Sequence, residues 1–210
     1  MRAKNWFAER ALKNFEAEIK PRLSEKSVQY LEIGVWYGNS LVWMLENVLT
    51  GRWSRAYAID PWLAMPGHPQ EEIDRHYDTV LERCRPFGIR AKVIRCLSSV
   101  WLRHSRTRSH TFDMIYLDGD HSAIPFLDDL VLSWPLLKVG GILLIDDYLV
   151  RSWIRDGVKS ATDAVMKGVY APYISEILRD QFQVGYLKTG DVELFATKPD
   201  GSRYFGVQVR

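Results

Sequence analysis

Apolar runs of strand length alternate with longer segments of helical period along this chain, and that alternation admits few folds. Strands are expected near Gln29–Val35, Ala56–Pro61, Ala91–Arg95, Phe112–Leu117 and Gly141–Ile145. Helices are expected near Ser40–Leu49, Glu71–Arg85, Ile124–Leu137 and Ser152–Met166. Strands joined through helices lie parallel, and the helices cover both faces of a single sheet. Two further strands, Phe182–Leu187 and Val192–Thr197, flank the turn-forming "KTGD" and are expected to pair as an antiparallel hairpin. The fold class is therefore α/β, a seven-stranded and mostly parallel sheet that ends in an antiparallel strand. At 210 residues the chain needs no second domain, so a single domain is expected, with residues 1–26 as a helical extension.

In open sheets of this kind, ligands bind beyond the carboxyl ends of the strands. Here those ends are acidic. "FDMIYLDGDHS" delivers Asp118, Asp120 and His121, and "GGILLIDDY" delivers Asp146 and Asp147. If the two strands are neighbours, Asp118, Asp146 and Asp147 share a small space. At ~4 Å and an effective dielectric near 20, each like-charged pair costs about 4 kcal/mol. A proton, a basic side chain or a metal ion relieves that cost, and all-carboxylate sites select hard divalent ions such as magnesium.

The first strand runs into a loop, "YLEIGVWYGNS", with Gly34 and Gly38 four positions apart and Asn39 or Ser40 suited to cap the helix that follows. A dinucleotide fingerprint needs a second glycine at position 36, which is Trp here. Glu32 would also repel a pyrophosphate, whereas it attracts a ligand carrying an ammonium and a sulfonium. The second strand ends at Asp60, from which a carboxylate can hold both hydroxyls of a ribose or else serve the turn at Pro61.

E-x-G-x-x-x-G after the first strand, Asp after the second, "LDGDH" after the fourth and "GGILLIDDY" as the fifth together resemble the class I S-adenosylmethionine-dependent methyltransferases. Within that class the last two motifs are similar to the macrocin and other sugar or antibiotic O-methyltransferases, many of which use magnesium. The resemblance implies a Rossmann-like fold with helices on both faces. It also implies that Glu32, Gly34 and Gly38, with Asn39 and Ser40 at the helix start, line the methionine part of the cofactor. Asp60 would then meet its ribose, Ser98 and its neighbours the adenine, and Asp118 the cofactor's edge. Asp118, Asp146 and Asp147 match the family's acidic metal positions, which implies Mg2+ or a similar divalent cation. Asp120 or His121 takes the acceptor's proton, and Asp120 is favoured because related sugar methyltransferases carry a carboxylate two residues after the first ligand. The chain departs from the family pattern at Ser98, which lacks an acidic neighbour, and at Ala123, where the family often has Tyr.

The implied activity is metal-assisted O-methylation of a hydroxyl on a small molecule such as a sugar or natural-product intermediate. A metal-free methyltransferase of a basic acceptor and a non-catalytic cofactor-binding module remain alternatives. With a net charge of +2, the chain is not expected to bind nucleic acid, although Arg103, Arg106 and Arg108 surround His104 and His110 in either a solvated or a phosphate-binding loop. No run approaches the ~18 apolar residues of a membrane span, and Cys84 and Cys96 fit no disulfide framework, so a cytoplasmic protein is expected. The amphipathic start, with Trp6, Phe7, Leu12, Phe15 and Ile19, is expected to pack on the domain, and such appended helices make a homodimer possible. The segment Pro61–Tyr77, containing His68 and His76, is expected to cover cofactor or substrate. Tyr148, Arg151 and Trp153 are expected either to touch substrate or to pack the next helix, and Asp128 and Asp129 to face solvent or be paired.

Overall fold

A computed structural model describes residues 5–23, 27–104, 111–149, 157–191, 195–197 and 203–205. Seven strands form one sheet in the order β3-β2-β1-β4-β5-β7-β6. They are β1 (Gln29–Ile33), β2 (Arg55–Asp60), β3 (Ala91–Arg95), β4 (Phe112–Leu117), β5 (Leu137–Ile145), β6 (Ile174–Arg179) and β7 (Val184–Lys188). The first five run parallel, and β7 enters between β5 and β6 antiparallel to both. Two short strands, β8 (Phe195–Thr197) and β9 (Arg203–Phe205), pair only with each other.

The central strands are mostly apolar because both faces are covered, and successive residues serve opposite cores. Tyr30, Met114, Tyr116, Ile142 and Leu144 pack on one side with the helices at Asn39–Asn47 and Gln70–Cys84. Leu31, Ile33, Ile115, Leu143 and Ile145 pack on the other with the helices at Ala123–Ser133 and Gly157–Ala164. A helical stretch over residues 7–23, with wide π-type turns at Phe7–Ala11 and Phe15–Ile19, lies on the first face. Phe15 and Ile19 are fully buried there, and Phe15 meets Tyr116 edge-on at 5.3 Å.

Three expectations are corrected. The hairpin does not form around "KTGD": β7 pairs with β6, which precedes it, through a turn in which Asp180 Oδ1 accepts the Phe182 and Gln183 N–H groups at 2.7 Å. β6 escapes a period-two reading because its register shifts between Glu176 and Leu178. Lys188, in "KTGD", ends β7 buried, its ammonium held by the Trp134 and Leu137 carbonyls at 3.2 and 3.0 Å and by Asp191 at 3.1 Å. Val192 and its next two neighbours lie outside the described residues. The third expected helix stops at Ser133, because Pro135 turns the chain through a short Trp134–Leu136 turn into a β5 that starts at Leu137. A helix not anticipated, Ser98–His104, follows β3.

No helix among the described residues is long and apolar enough to cross a membrane. Arg103 pairs with Asp128 at 2.7 Å, while Arg106, Arg108, His110, Arg151 and Trp153 lie outside the described residues. Cys84 and Cys96 are both free thiols.

Candidate active site

The loop after β1 is built around two glycines with left-handed backbone. Gly34, at φ +88°, passes so close to β4 that an added Cβ would lie 1.9 Å from the Asp118 carbonyl oxygen. Gly38, at φ +71°, is the N-cap of the helix Asn39–Asn47. No side chain caps that helix, which corrects the role given to Asn39 and Ser40. Asn39 Oδ1 instead accepts from Arg83 at 2.9 Å, and the Ser40 hydroxyl turns inward to donate to Glu32 at 2.5 Å. The first N–H groups of the helix are thus open to an anionic ligand group.

Glu32 is fully buried, with its second oxygen accepting from the Tyr30 hydroxyl at 2.8 Å. Burial raises its pKa to about 8; Ser40 and Tyr30 act against that rise, and the Asp118 and Asp60 charges add to it. Asp60 fastens two strained loops. Its Oδ2 accepts the Val35 and Trp36 N–H groups at 2.9 and 3.0 Å, and its Oδ1 accepts that of Trp62 at 2.7 Å. Trp36 and Trp62 both have positive φ, at 50° and 45°, and the Trp62 indole donates to the Trp36 carbonyl at 3.1 Å. A carboxylate has about four lone-pair directions, so Asp60 keeps about one for a further donor. Within the Pro61–Tyr77 segment, His68 bonds Glu72 at 2.9 Å, and His76 lies buried against the Trp36 and Tyr37 rings.

The parallel register places Leu117 of β4 beside Ile145 of β5, so Asp118 and Asp146 leave the sheet as neighbours. Their side chains take different partners. Asp146 accepts from the Gln183 amide at 2.7 Å, and its pKa stands well above the ordinary value because of burial and the Asp118 and Asp147 charges. Asp147 takes a positive φ of 50° and swings back toward the fourth strand. Ligand atoms of Asp118, His121 and Asp147 consequently lie within 4.8 Å of one another. His121 Nε2 stands 3.7 Å from Asp118 and its Nδ1 3.4 Å from Asp147. Burial opposes charge on His121, but the Asp118, Asp147 and Asp120 carboxylates outweigh it and raise its pKa. The Asp118 pKa is also raised, chiefly by burial, with His121 acting against the shift.

This group fits a divalent cation. Two carboxylates and an imidazole form a mixed donor set that suits manganese and its neighbours as well as magnesium, and Asp147 Oδ1 is a buried acceptor without a hydrogen bond. Asp120 stands apart from the group. It is exposed, and one of its oxygens accepts the Ser122 N–H at 2.7 Å. Tyr148 is buried and donates to Asp163 at 2.7 Å, so it packs the following helix.

Residues beyond the motifs complete the setting. Asn14, from the N-terminal helix, donates to Gln183 and to Asp180, both at 3.0 Å, and so ties that helix to the amide that holds Asp146. Arg10, one turn earlier, stands 3.6 Å from Asp147. Their only sequence signal was an amphipathic helix. Ser98 begins its helix and bonds Asp129, which is buried rather than solvent-facing and whose pKa is raised to about 6 by burial. A carboxyl therefore does stand near Ser98, supplied by a different helix.

A family described as a methyltransferase domain matches residues 31–148, a span that runs from within β1 past the end of β5 and holds both acidic strand ends. The chain belongs to this family. The chain is 23% identical over 158 residues to the uncharacterized protein R132 of Acanthamoeba polyphaga mimivirus, covering 71% of this chain and 66% of that protein, just under two thirds of its length. Among solved structures it is similar to a putative rRNA methylase from Clostridium thermocellum, with a TM-score of 0.65 and 13% identity over 91% of this chain and 99% of that one. It is likewise similar to an O-methyltransferase from Bacillus cereus in complex with SAH, with a TM-score of 0.60 and 15% identity over 81% and 77%. These likenesses establish the class I methyltransferase fold. The N-terminal helix and the β6–β7 hairpin of this methyltransferase lie outside the matched span, and with them Arg10, Asn14 and Gln183.

Proposed function

We propose that the protein transfers a methyl group from S-adenosylmethionine to a hydroxyl of a small molecule, with a divalent cation at Asp118, His121 and Asp147. The observation that carries this reading is the gathering of those three side chains, within 4.8 Å, beside the Gly34 loop. The Bacillus cereus relative with SAH supports the choice of cofactor. Glu32 lies under that loop and faces the cofactor's ammonium group, the open start of the Asn39–Asn47 helix receives its carboxylate, and the remaining lone pair of Asp60 takes a ribose hydroxyl. Transfer is an in-line displacement, so these contacts serve to hold methyl and acceptor collinear. A divalent ion when bound supplies the charge that orients an acceptor oxygen and lowers its pKa.

With His121 turned into the acidic group, Asp120 is the side chain left to take the proton. The small-molecule reading over nucleic acid is supported by Arg103, which is neutralised by Asp128. Free thiols fit a reducing cytoplasm. One observation favours a second reading: His121 in its charged form balances two aspartates unaided, which suits a metal-free enzyme with a cationic acceptor. Methyl transfer from labelled S-adenosylmethionine to a panel of vicinal diols and amines separates the two. The proposal expects activity on diols that excess chelator removes and Mg2+ or Mn2+ restores; full activity in chelator rejects the metal. Asp120→Asn is expected to lower turnover at least a hundredfold while leaving cofactor affinity unchanged, and near-native turnover rejects it as the base.

A further inference from the structure

Arg10 is built like a ligand-binding residue. Its guanidinium lies 4.2 Å from the Trp6 ring centroid and 4.8 Å from that of Phe182, so two aromatic rings help to place it. Among the described residues the guanidinium makes no hydrogen bond; the nearest acceptor, Asp147 Oδ1, stands at 3.6 Å. The Asp147 oxygen is buried and equally without a hydrogen-bond partner. The two charges form an ion pair without a hydrogen bond between them. The buried Asn14–Gln183–Asp146 contacts anchor the same helix one turn further on, so Arg10 is placed by packing and not by its charge partner.

We infer that Arg10 binds an anionic group of the methyl acceptor, a carboxylate or a phosphate, and so restricts the substrate class to hydroxyl compounds that carry such a group near the methylated oxygen. The inference rests on the proposed small-molecule reading. A cation at Asp147 would compete with the guanidinium for that carboxylate, leaving Asp146 as its other acidic neighbour, and an acceptor anion supplies a further counter-charge. Arginine suits this task because its fixed fork meets two oxygens at once.

The test uses the whole protein loaded with S-adenosylhomocysteine and Mg2+. Three probes share a vicinal diol: 3,4-dihydroxybenzoate, 3,4-dihydroxybenzyl phosphate and the neutral 3,4-dihydroxybenzyl alcohol. Calorimetric titration is expected to show one anion binding about tenfold tighter than the alcohol, and which anion wins identifies carboxylate or phosphate. In Arg10→Gln the preference is expected to fall within twofold, and in Arg10→Lys, which keeps the charge but loses the fork, to be intermediate. Equal affinity for all three probes, binding of none, or a preference that survives in Arg10→Gln overturns the inference. Equal weakening of all three probes in Arg10→Gln also overturns it, since that result marks a residue that merely steadies Asp147. Failure of S-adenosylhomocysteine itself to bind rejects the cofactor reading, and is measured first and separately.

Discussion

Replacing Glu32 by Gln is expected to make the protein more stable and less able to hold its cofactor. The carboxyl is fully buried and titrates near pH 8, against an ordinary value of 4.5. Below pH 4.5 it is protonated in both folded and unfolded chains and has no effect on the balance. As pH rises from there the unfolded chain ionises while the folded one stays neutral, so stability is lost progressively until the folded carboxyl itself ionises around pH 8. At pH 7 the accumulated penalty is about 3 kcal/mol. Gln has the same shape and keeps contacts to Ser40 and Tyr30, one hydroxyl turning to accept, but it cannot ionise. Urea denaturation of both proteins between pH 5 and 8 is expected to show Glu32→Gln gaining about 1.4 kcal/mol per pH unit on the native protein. S-adenosylmethionine binding to the native protein at pH 7 is expected to release close to one proton, read as a dependence of binding heat on buffer ionisation, and this release disappears in the variant. Parallel stability curves for the two proteins across that pH range would refute the reasoning, because they would mean Glu32 titrates alike folded and unfolded.

Two further outcomes follow from backbone and metal geometry. Gly34→Ala is expected to destabilise the fold by about 3 kcal/mol or more, since both the φ of +88° and the contact at 1.9 Å exclude a Cβ; a melting temperature within a degree or two of native contradicts the close approach. Asp147→Asn is expected to weaken Mn2+ binding, followed by paramagnetic resonance, about tenfold or more, while Asp146→Asn, whose carboxylate already serves Gln183, changes it by less than threefold; the reverse order would restore a site of three aspartates.

The five parallel strands and the acidic ends of β4 and β5 were legible because each is a local pattern: a short apolar run, then charge where the chain leaves the sheet. The choice between Asp146 and His121 as a neighbour for Asp118 was not. Which side chain gathers with Asp118 depends on the positive φ of Asp147 and on the bond from Gln183, some forty residues away, to Asp146. β6 was hidden for a related reason, its bulge breaking the alternation that marks a strand. Arg10 and Asn14 were visible only as polar positions on an amphipathic helix, because helical period tells which face is buried and not what a polar side chain meets beyond it. Asp129 shows the same limit, reading as a surface acid beside Asp128 while packing inward beside Gly119.

The backbone of Gly34 rests directly on the carbonyl of Asp118, with no side chain between them to act as a cushion. The glycine loop after β1 and the acidic end of β4 are therefore one joint, and neither can shift without pushing the other. Whichever ligand arrives first sets the terms for the second, and by thermodynamic reciprocity each must alter the other's affinity by the same factor.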